Sequence, residues 1–323
     1  MIKCRWLTAP VSCSAFGLLL SLTAASSVCA QTNAITLGST NATSSHYAVS
    51  VAMSKAIKAG MPNANVSVIE TGASVDNIRR LVRGEVNLGL VAVDTGIQAI
   101  DGTGVFKDKA VKDLVAVYAY DVSVLNIAVR ADSGINNIKD LEGRKFNAGI
   151  RGSGAEVLTR EAFTMLGIKP DWAPGTVQDA VEAIQNRQVV GYSKYGPGIG
   201  IDATLRELLT ATPMRLIGFT PEQEKEVLAR LKGVDFKMLP ENFIPGQNSI
   251  AAPVVPIVYA TRLGSLDNDT AYTVAKSIYE NRQTLIETWP HLKDFDFKQQ
   301  SLRAEQLGFP LHPGAKRFWE SLK

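Results

Sequence analysis

Residues 34–93 read AITLGSTNATSSHYAVSVAMSKAIKAGMPNANVSVIETGASVDNIRRLVRGEVNLGLVAV. Short aliphatic runs alternate with stretches in which apolar residues recur at helical spacing, and this alternation predicts strands separated by amphipathic helices. The two helices end at Gly60 and Gly84, since glycine is the usual residue after a helix. The three strands cover residues 34–38, 66–70 and 87–93. The segment is a βαβαβ unit, which is typical of a sheet with helices on its faces.

The same alternation continues to the C-terminus and places the chain in the α/β class. No period of 20–50 residues repeats, which excludes solenoids and propellers. Further strands are predicted at residues 114–119, 124–130, 145–149 and 189–193, and further helices near residues 155–166, 177–186, 201–209, 221–231 and 270–286.

Two long extended stretches, residues 122–131 and 250–261, interrupt the alternation. The second contains two prolines, which suit an edge or crossover strand better than the centre of a sheet. At 323 residues the chain has the length of about two domains. We therefore expect two lobes, each a mixed sheet flanked by helices, with these stretches as hinge strands. Lobe 1 comprises residues 31–123 and 256–323, and lobe 2 comprises residues 124–255.

The N-terminus has the pattern of a signal peptide. Lys3 and Arg5 precede an apolar run at residues 14–25, and small residues lead to a predicted cleavage after Ala30. The run is too short to span a bilayer, so the mature protein is expected to be soluble and exported. Lipidation of Cys29 is the alternative, although the residues before it lack the usual Leu-small-small pattern.

Composition narrows the possible functions. With 34 basic and 31 acidic residues the net charge is +3, and no basic stripe is visible, so nucleic acid is not an expected partner. All three cysteines precede residue 31, which leaves no thiol nucleophile, disulfide or cysteine metal site in the mature chain. His46, His291 and His312 lack metal-ligand spacing, so neither metal nor cofactor is predicted.

Hydrogen-bonding residues follow the predicted strands, where α/β sheets place their ligand sites. Helices are expected to begin after Ser45, Ser74, Ser153 and Gly198, and their free N–H groups favour an anion. Arg151 and Lys194 could add full positive charges from the second lobe. For each loop alone the simpler interpretation, helix capping, stays open.

As a set, these motifs resemble the TAXI family of solute receptors, which serve TRAP transporters. The matching motifs are GSTNATSSHY at residues 38–47, TGASVDN at 71–77, GEVNLG at 84–89, VDT at 93–95, DLEGRK at 140–145, GIRGSG at 149–154 and LHPGA at 311–315. The resemblance covers nearly the whole mature chain. It implies a two-lobed type II periplasmic-binding-protein fold with the ligand in the cleft, and delivery of solute to a sodium-coupled permease.

Carried onto this sequence, the family's ligand loops and the neighbouring residues give one set of candidates. There are departures: His46 stands where an aromatic is usual, Ala73 replaces a usual glycine, and a lysine lies near the cleft. The predicted ligand-binding residues are Ser39, Thr40, Asn41, Thr43, Ser44, Tyr47, Thr71, Gly72, Ser74, Asn77, Asp94, Arg151, Gly152, Ser153, Gly154, Lys194 and Tyr195.

The prediction from sequence is thus a monomeric periplasmic receptor and not an enzyme. Its solute would be a small organic anion, in the range of glutamate or 2-oxoglutarate by analogy with the family, and its partners would be TRAP permease subunits. Two alternatives stay open. The first is an ABC-type binding protein, which shares the fold. The second is an exported hydrolase with Ser153 or Ser39 as nucleophile, although no Gly-x-Ser-x-Gly motif is present.

Overall fold

A computed structural model describes residues 34–323. The predicted signal peptide, its cleavage after Ala30 and the alternative lipidation of Cys29 lie outside the described residues. Among the helices of residues 34–323, none has the length and apolar content needed to cross a membrane.

Ten strands form one sheet in the described part of the chain, and their neighbours follow the path β2-β1-β3-β10-β4-β7-β5-β6, with β8 on β4 and β9 on β10. Pairing is parallel between β1 and its neighbours and antiparallel around β10. The predicted α/β class with a mixed sheet is therefore confirmed. The strands are β1 Ala34–Gly38, β2 Asn65–Ile69, β3 Leu88–Ala92, β4 Leu114–Arg130, β5 Lys145–Asn147, β6 Asp171–Trp172, β7 Gly191–Gly196, β8 Met214–Leu216, β9 Asp235–Leu239 and β10 Ile250–Arg262.

Helices flank this sheet, and their apolar faces supply the core. In the first helix Val49, Met53 and Ile57 are fully buried, as the spacing predicts. The second helix ends at Gly84, whose φ of 71° is the left-handed conformation that favours glycine. The helices are α1 Ser45–Gly60, α2 Ser74–Arg83, α3 Val93–Asp101, α4 Gly154–Met165, α5 Val177–Gln185, α6 Ala203–Ala211, α7 Pro221–Leu228, α8 Asn268–Glu280, α9 Gln283–Thr288, α10 Phe297–Gln306 and α11 Pro313–Ser321.

The centre of the sheet is made by the two longest strands, β4 with 17 residues and β10 with 13, which run antiparallel to each other. Up to Ser123, β4 pairs with β10; from Val124 onward its partner is β7. On β10, residues 250–254 pair with β9 and residues 255–262 pair with β4. Both strands therefore change their neighbouring strands at the same place, the pair formed by Ser123 of β4 and Val255 of β10.

The prolines of β10 lie where a backbone donor is not needed. Pro253 pairs with β9 only, before the pairing with β4 begins at Val255. Pro256 pairs with β4 and lies just before Ile257, where the pairing with β3 begins. Each proline therefore has one side of the strand without a ladder partner, which is how proline is tolerated inside a sheet.

The sequence predicts two strands where the structure has the single strand β4. The polar residues Asp121 and Ser123 interrupt the apolar pattern, yet both are buried with their hydrogen bonds satisfied. Asp121 accepts from the Ser123 hydroxyl at 2.5 Å and from the backbone N–H of Gly198 at 3.0 Å. Residues 34–323 form one compact unit by their contacts, and the division into two lobes at residues 123–124 and 255–256 stays a prediction.

Other differences concern short or polar elements. Residues 191–196, predicted to include a loop before a helix at Ile201, form β7, and α6 begins only at Ala203 with Asp202 as its N-cap. The predicted helix at residues 270–286 is two helices, α8 and α9. The helix α3 is absent from the sequence prediction because its first residue continues the apolar run of β3. The elements β6, β8, β9, α10 and α11 are likewise additions.

Candidate functional site

The loops that follow β1 and β2 are held together by side chains that reach the backbone. The carbonyl of Ser39 accepts from the Thr71 hydroxyl at 2.7 Å and from the Asn77 amide at 2.8 Å. The same amide also donates to the carbonyl of Leu90 at 2.8 Å. The two buried side chains of Thr71 and Asn77 thus fix the loop after β1 to the loop after β2 and to β3.

The loop before α4 contacts the start of α2, which follows the second of these loops. The backbone N–H of Val75 donates to the carbonyl of Gly152 at 2.8 Å. A Cβ added at Gly154 would lie 2.8 Å from Cβ of Ala92, closer than real Cβ atoms approach. Any larger residue at position 154 would therefore push the start of α4 away from the end of β3.

Between these loops and β7 lies a small cavity of about 40 Å³, which we call the hydroxyl cavity. It has room for roughly three water molecules. Ligand pockets are usually about 300–1,000 Å³, so the loops surround this space closely. The lining residues are Thr40, Ser44, His46, Ala73, Ser74, Leu90, Ile150, Ser153, Gly154, Ala155, Ser193, Lys194, Tyr195 and Ile257.

The positive charge in this lining comes from Lys194, and it is offset. The Nζ atom lies 2.9 Å from Oδ2 of Asp202 and donates to the Thr204 hydroxyl at 2.7 Å. Both charged side chains are buried, with exposed fractions of 8% and 1%. Lys194 therefore lies at the cavity as one partner of an ion pair. Its positive potential there is weaker than that of the unpaired lysine predicted from the sequence.

His46 is the second titratable group of the lining. Its Nδ1 lies 2.9 Å from the Tyr120 hydroxyl, and Nε2 lies 3.5 Å from the Ser123 hydroxyl. Burial lowers the pKa of His46 to about 4, against the opposing effect of Asp121. At neutral pH the imidazole is therefore uncharged.

Two hydroxyls of the lining are buried without a hydrogen-bond partner among residues 34–323. Oγ of Ser193 and the phenol oxygen of Tyr195 are both in this state. Buried polar groups in proteins are normally hydrogen-bonded, and an unpartnered one needs an explanation such as a bound molecule. Both residues lie on β7, opposite the loops that follow β1 and β2.

Three of the four predicted helix N-termini contribute to the lining, those of α1, α2 and α4. Two of their hydroxyls act as caps: Ser44 accepts from the N–H of His46, and Ser153 accepts from the N–H of Glu156. The capping interpretation is therefore correct for both. The carboxylate of Glu156 bonds to the N–H of Gly152 at 2.7 Å, one residue before the position that a capping box would use.

The predicted site residues fall into three groups. Seven line the hydroxyl cavity: Thr40, Ser44, Ser74, Ser153, Gly154, Lys194 and Tyr195. Five support the loops around it: Ser39, Thr71, Gly72, Asn77 and Gly152. The remaining five lie elsewhere. Arg151 and Thr43 are exposed, Asn41 and Tyr47 are half-buried, and Asp94 lines a different cavity.

Sequence reasoning missed some of the lining. The sequence predicts Ser193 as the last residue of an ordinary strand; in the structure Ser193 and Tyr195 share one face of β7, and Lys194 lies on the other. The apolar members Leu90, Ile150 and Ile257 carry no signal of their own. Ala73 was noticed as a departure from a usual glycine, and its φ of 67° is indeed one that favours glycine.

The mixed sheet flanked by helices places the chain in the class of proteins with a periplasmic-binding-protein-like α/β fold, and the predicted fold is confirmed. Within this class, residues 37–321 match the NMT1-like family, and the chain belongs to that family. The match does not support the narrower assignment to the TAXI receptors of TRAP transporters.

Solved structures are similar in fold. One described as a periplasmic transporter shares 12% identity with a TM-score of 0.53, covering 88% of this chain and 100% of that chain. A Xanthomonas citri protein, XAC2383 bound to ATP, shares 11% identity with a TM-score of 0.51, covering 90% and 100%. The periplasmic binding protein BugD shares 12% identity with a TM-score of 0.50, covering 87% and 99%. At these identities the likeness concerns the fold alone.

Proposed function

We propose that this protein is an exported, periplasmic solute-binding protein that captures a small organic oxyanion in the hydroxyl cavity and delivers it to a membrane permease. The observation that carries the proposal is the composition of the lining, in which serine and threonine side chains surround a cavity that also holds Lys194. Hydroxyl donors beside a lysine suit the oxygen atoms of a carboxylate or a sulfonate.

The source of the positive potential differs from the one that the sequence suggested. Arg151 is exposed and is not part of the lining, so it is no longer proposed as the partner of the ligand's charge. Lys194 keeps this role, although Asp202 neutralises part of its effect. The N-termini of α1, α2 and α4 add partial positive charge from the other side of the cavity.

Binding requires the cavity to open. A space of about 40 Å³ is too small for a molecule such as glutamate, so the loops must separate to admit a solute. The strands β4 and β10, which change partners near the same level, are the elements about which the separation would occur.

For the permease we propose the ABC type, the alternative that the sequence left open. The TRAP interpretation rested on the resemblance to TAXI receptors, whereas the matched family is the NMT1-like family. Uptake of the identified solute by cells distinguishes the two, because an ABC permease requires ATP hydrolysis and a TRAP permease requires a sodium gradient.

The hydrolase alternative finds little support in the contacts of its two proposed nucleophiles. The hydroxyl of Ser39 lies 2.6 Å from that of Ser50, and the hydroxyl of Ser153 is occupied as a helix cap. Within residues 34–323, His46 contacts Tyr120 and Ser123 and neither of these serines. A serine nucleophile needs an adjacent base, so we propose binding without catalysis.

The experiment is a thermal-shift panel of small carboxylates, sulfonates and uncharged solutes, followed by native mass spectrometry of protein purified without refolding. We expect an oxyanion to raise the melting temperature and to match any retained mass. Comparing the carboxylates with the sulfonates of the panel shows which of these two oxyanion classes the protein binds. Stabilisation by uncharged solutes alone would contradict the oxyanion proposal.

A further inference from the structure

A buried carboxylate outside the lining of the hydroxyl cavity joins three segments of the chain. Asp121 lies on β4 just before that strand changes its neighbours, and its side chain is 1% exposed. Its Oδ1 lies 3.1 Å from Nε2 of His291, in the 3₁₀ turn Pro290–Asp294. Both carboxylate oxygens accept from the backbone N–H of Gly198 at 3.0 Å. Asp121 therefore holds two segments that are distant from it in sequence.

Gly198 belongs to the loop between β7 and α6, which we call the 197–202 loop. Lys194 precedes this loop on β7, and Asp202, the partner of Lys194, is its last residue. The carbonyl of Gly198 accepts from the N–H of Val124 at 3.2 Å. The loop is thus tied to β4 by the carbonyl of Gly198 as well as by its N–H.

The contacts around Gly198 cross between the two predicted lobes. Gly198 belongs to predicted lobe 2, whereas Asp121 and His291 belong to predicted lobe 1. A Cβ added at Gly198 would lie 2.9 Å from Cδ2 of His291, so the imidazole rests directly on the loop. The N–H of Ala203, at the start of α6, donates to the Ser45 hydroxyl at 3.4 Å, a second contact of this kind. If the loops separate to admit a solute, these contacts must break.

The contact between Asp121 and His291 depends on the charge of the imidazole. Among residues 34–323, His291 is the only basic group within salt-bridge distance of Asp121. A buried carboxylate without a cation is costly, whereas an imidazolium beside it forms a charge-assisted hydrogen bond. The side chain of His291 is 36% exposed, so solvent supplies and removes its proton. Histidine gains its charge as pH falls from 8 towards 5.

The other charged groups around His291 keep their charge over this range. Arg206 of α6 lines the same surface groove, and the remaining lining residues of that groove do not titrate. Lys293 and Asp294 follow in the same turn and are exposed. On α1, burial lowers the pKa of His46 to about 4, so this imidazole stays uncharged above pH 5. A change of charge at this contact between pH 8 and pH 5.5 therefore comes from His291.

We propose that Asp121 and His291 form a latch on the 197–202 loop, and that protonation of His291 tightens this latch. The inference rests on the proposed function, because such a latch matters only if the hydroxyl cavity opens to exchange a solute. The loop joins Lys194 to Asp202, so a fastened loop holds the cation of the cavity and its counter-charge in place. Rarer opening at low pH means slower release of a bound solute.

Amide hydrogen exchange of the solute-free mature protein at pH 5.5 and pH 8 tests the latch without a ligand. Protection factors, which remove the intrinsic effect of pH on exchange, are compared for peptides that cover the 197–202 loop. We expect the wild-type loop to be about three- to tenfold more protected at pH 5.5. His291→Gln keeps an N–H donor without the charge, and Asp121→Asn keeps an acceptor without the charge, so both should show equal protection at the two pH values. Lys293→Gln, which removes an exposed charge from the same turn, is the matched control and should behave as the wild type.

Stopped-flow displacement of the best oxyanion of the panel, followed by tryptophan fluorescence at the same two pH values, measures the effect on the cavity. We expect release from the wild type to be about three- to tenfold slower at pH 5.5. In His291→Gln and Asp121→Asn the two release rates should agree, because neither variant forms the charged pair. Asp94, whose pKa is raised by burial to about 7, is common to all these proteins and cancels in the comparison.

Three results would overturn the proposal. The first is a wild-type loop that is equally protected at pH 5.5 and pH 8. The second is a rise in protection at pH 5.5 that survives in His291→Gln or in Asp121→Asn. The third is a rate of solute release that does not follow the protection of the loop. A loop that responds to pH as expected, in a protein that binds no oxyanion, would support the latch and contradict only the proposed function.

Discussion

The buried Asp94 gives the stability of the protein a predictable pH dependence. Its folded pKa of about 7 lies above the ordinary value of 3.8, so the folded state holds this proton more tightly than the unfolded state. Stability therefore falls as pH rises from about 4 to 7 and keeps the full penalty above pH 7. Asp94→Asn removes the ionisation. We expect the variant to gain roughly 3–4 kcal/mol relative to the wild type between pH 4 and pH 8.

Chemical denaturation of both proteins across this range measures the difference. The comparison between variant and wild type is needed because His46 acts in the opposite direction. Its pKa is lowered to about 4, so stability falls as pH falls from 6.5 towards 4, because the unfolded state takes up this proton more readily than the folded state. This loss is common to both proteins and cancels. A difference that does not change with pH would contradict the raised pKa of Asp94.

Ala73 stores backbone strain at the start of α2. Its φ of 67° and ψ of −143° form a combination that glycine adopts readily and alanine does not. We expect Ala73→Gly to stabilise the protein by about 1 kcal/mol in denaturant titration. The control Ala52→Gly, within α1, should destabilise it by about 1 kcal/mol, because glycine is unfavourable in a helix. Destabilisation by Ala73→Gly would contradict the strain.

At the scale of elements, the spacing of apolar residues and the glycines that end helices were sufficient to predict β1, α1, β2, α2 and β3 to within about a residue or two. They were insufficient where one apolar run serves two elements, as at Val93, which begins α3 directly after β3. They also failed at β4. The polar residues Asp121 and Ser123 predict an interruption between two strands, although in the structure their hydrogen bonds are satisfied within one continuous strand. Both failures arise because hydrogen-bond partners distant in sequence decide the local structure.

The strands β4 and β10 lead to a prediction about closure. If the loops separate about these strands, an oxyanion that bridges them should reduce the radius of gyration. Gly154→Ala should prevent this, since a Cβ at position 154 would lie 2.8 Å from Ala92. Small-angle scattering of both proteins with and without the solute is the measurement. Equal closure in the variant, or no change in the wild type, would contradict the hinge.

At the scale of the whole molecule, the sequence was sufficient for the α/β solute-binding fold and insufficient for the charge in the cavity. Lys194 and Asp202 are close in the chain, but a strand end and a turn separate them, so no spacing rule predicts their 2.9 Å contact. Arg151 was singled out because it lies beside glycines, yet its side chain is exposed. Motifs located the loops, whereas side-chain direction depended on the complete fold.

The central claim is that the hydroxyl cavity binds an oxyanion through Lys194. The single change Lys194→Met would leave Asp202 buried without a partner, so the double variant Lys194→Met with Asp202→Asn is the informative protein. Arg151→Met is the matched control, because that arginine lies outside the lining.

Calorimetric titration of these proteins with the best oxyanion of the panel tests the claim most directly. We predict that the double variant binds about ten- to a hundredfold more weakly than the wild type, the usual cost of a lost charge-assisted hydrogen bond. Arg151→Met should bind within about twofold of the wild type. Undiminished binding by the folded double variant, or an equal loss in Arg151→Met, would contradict the account.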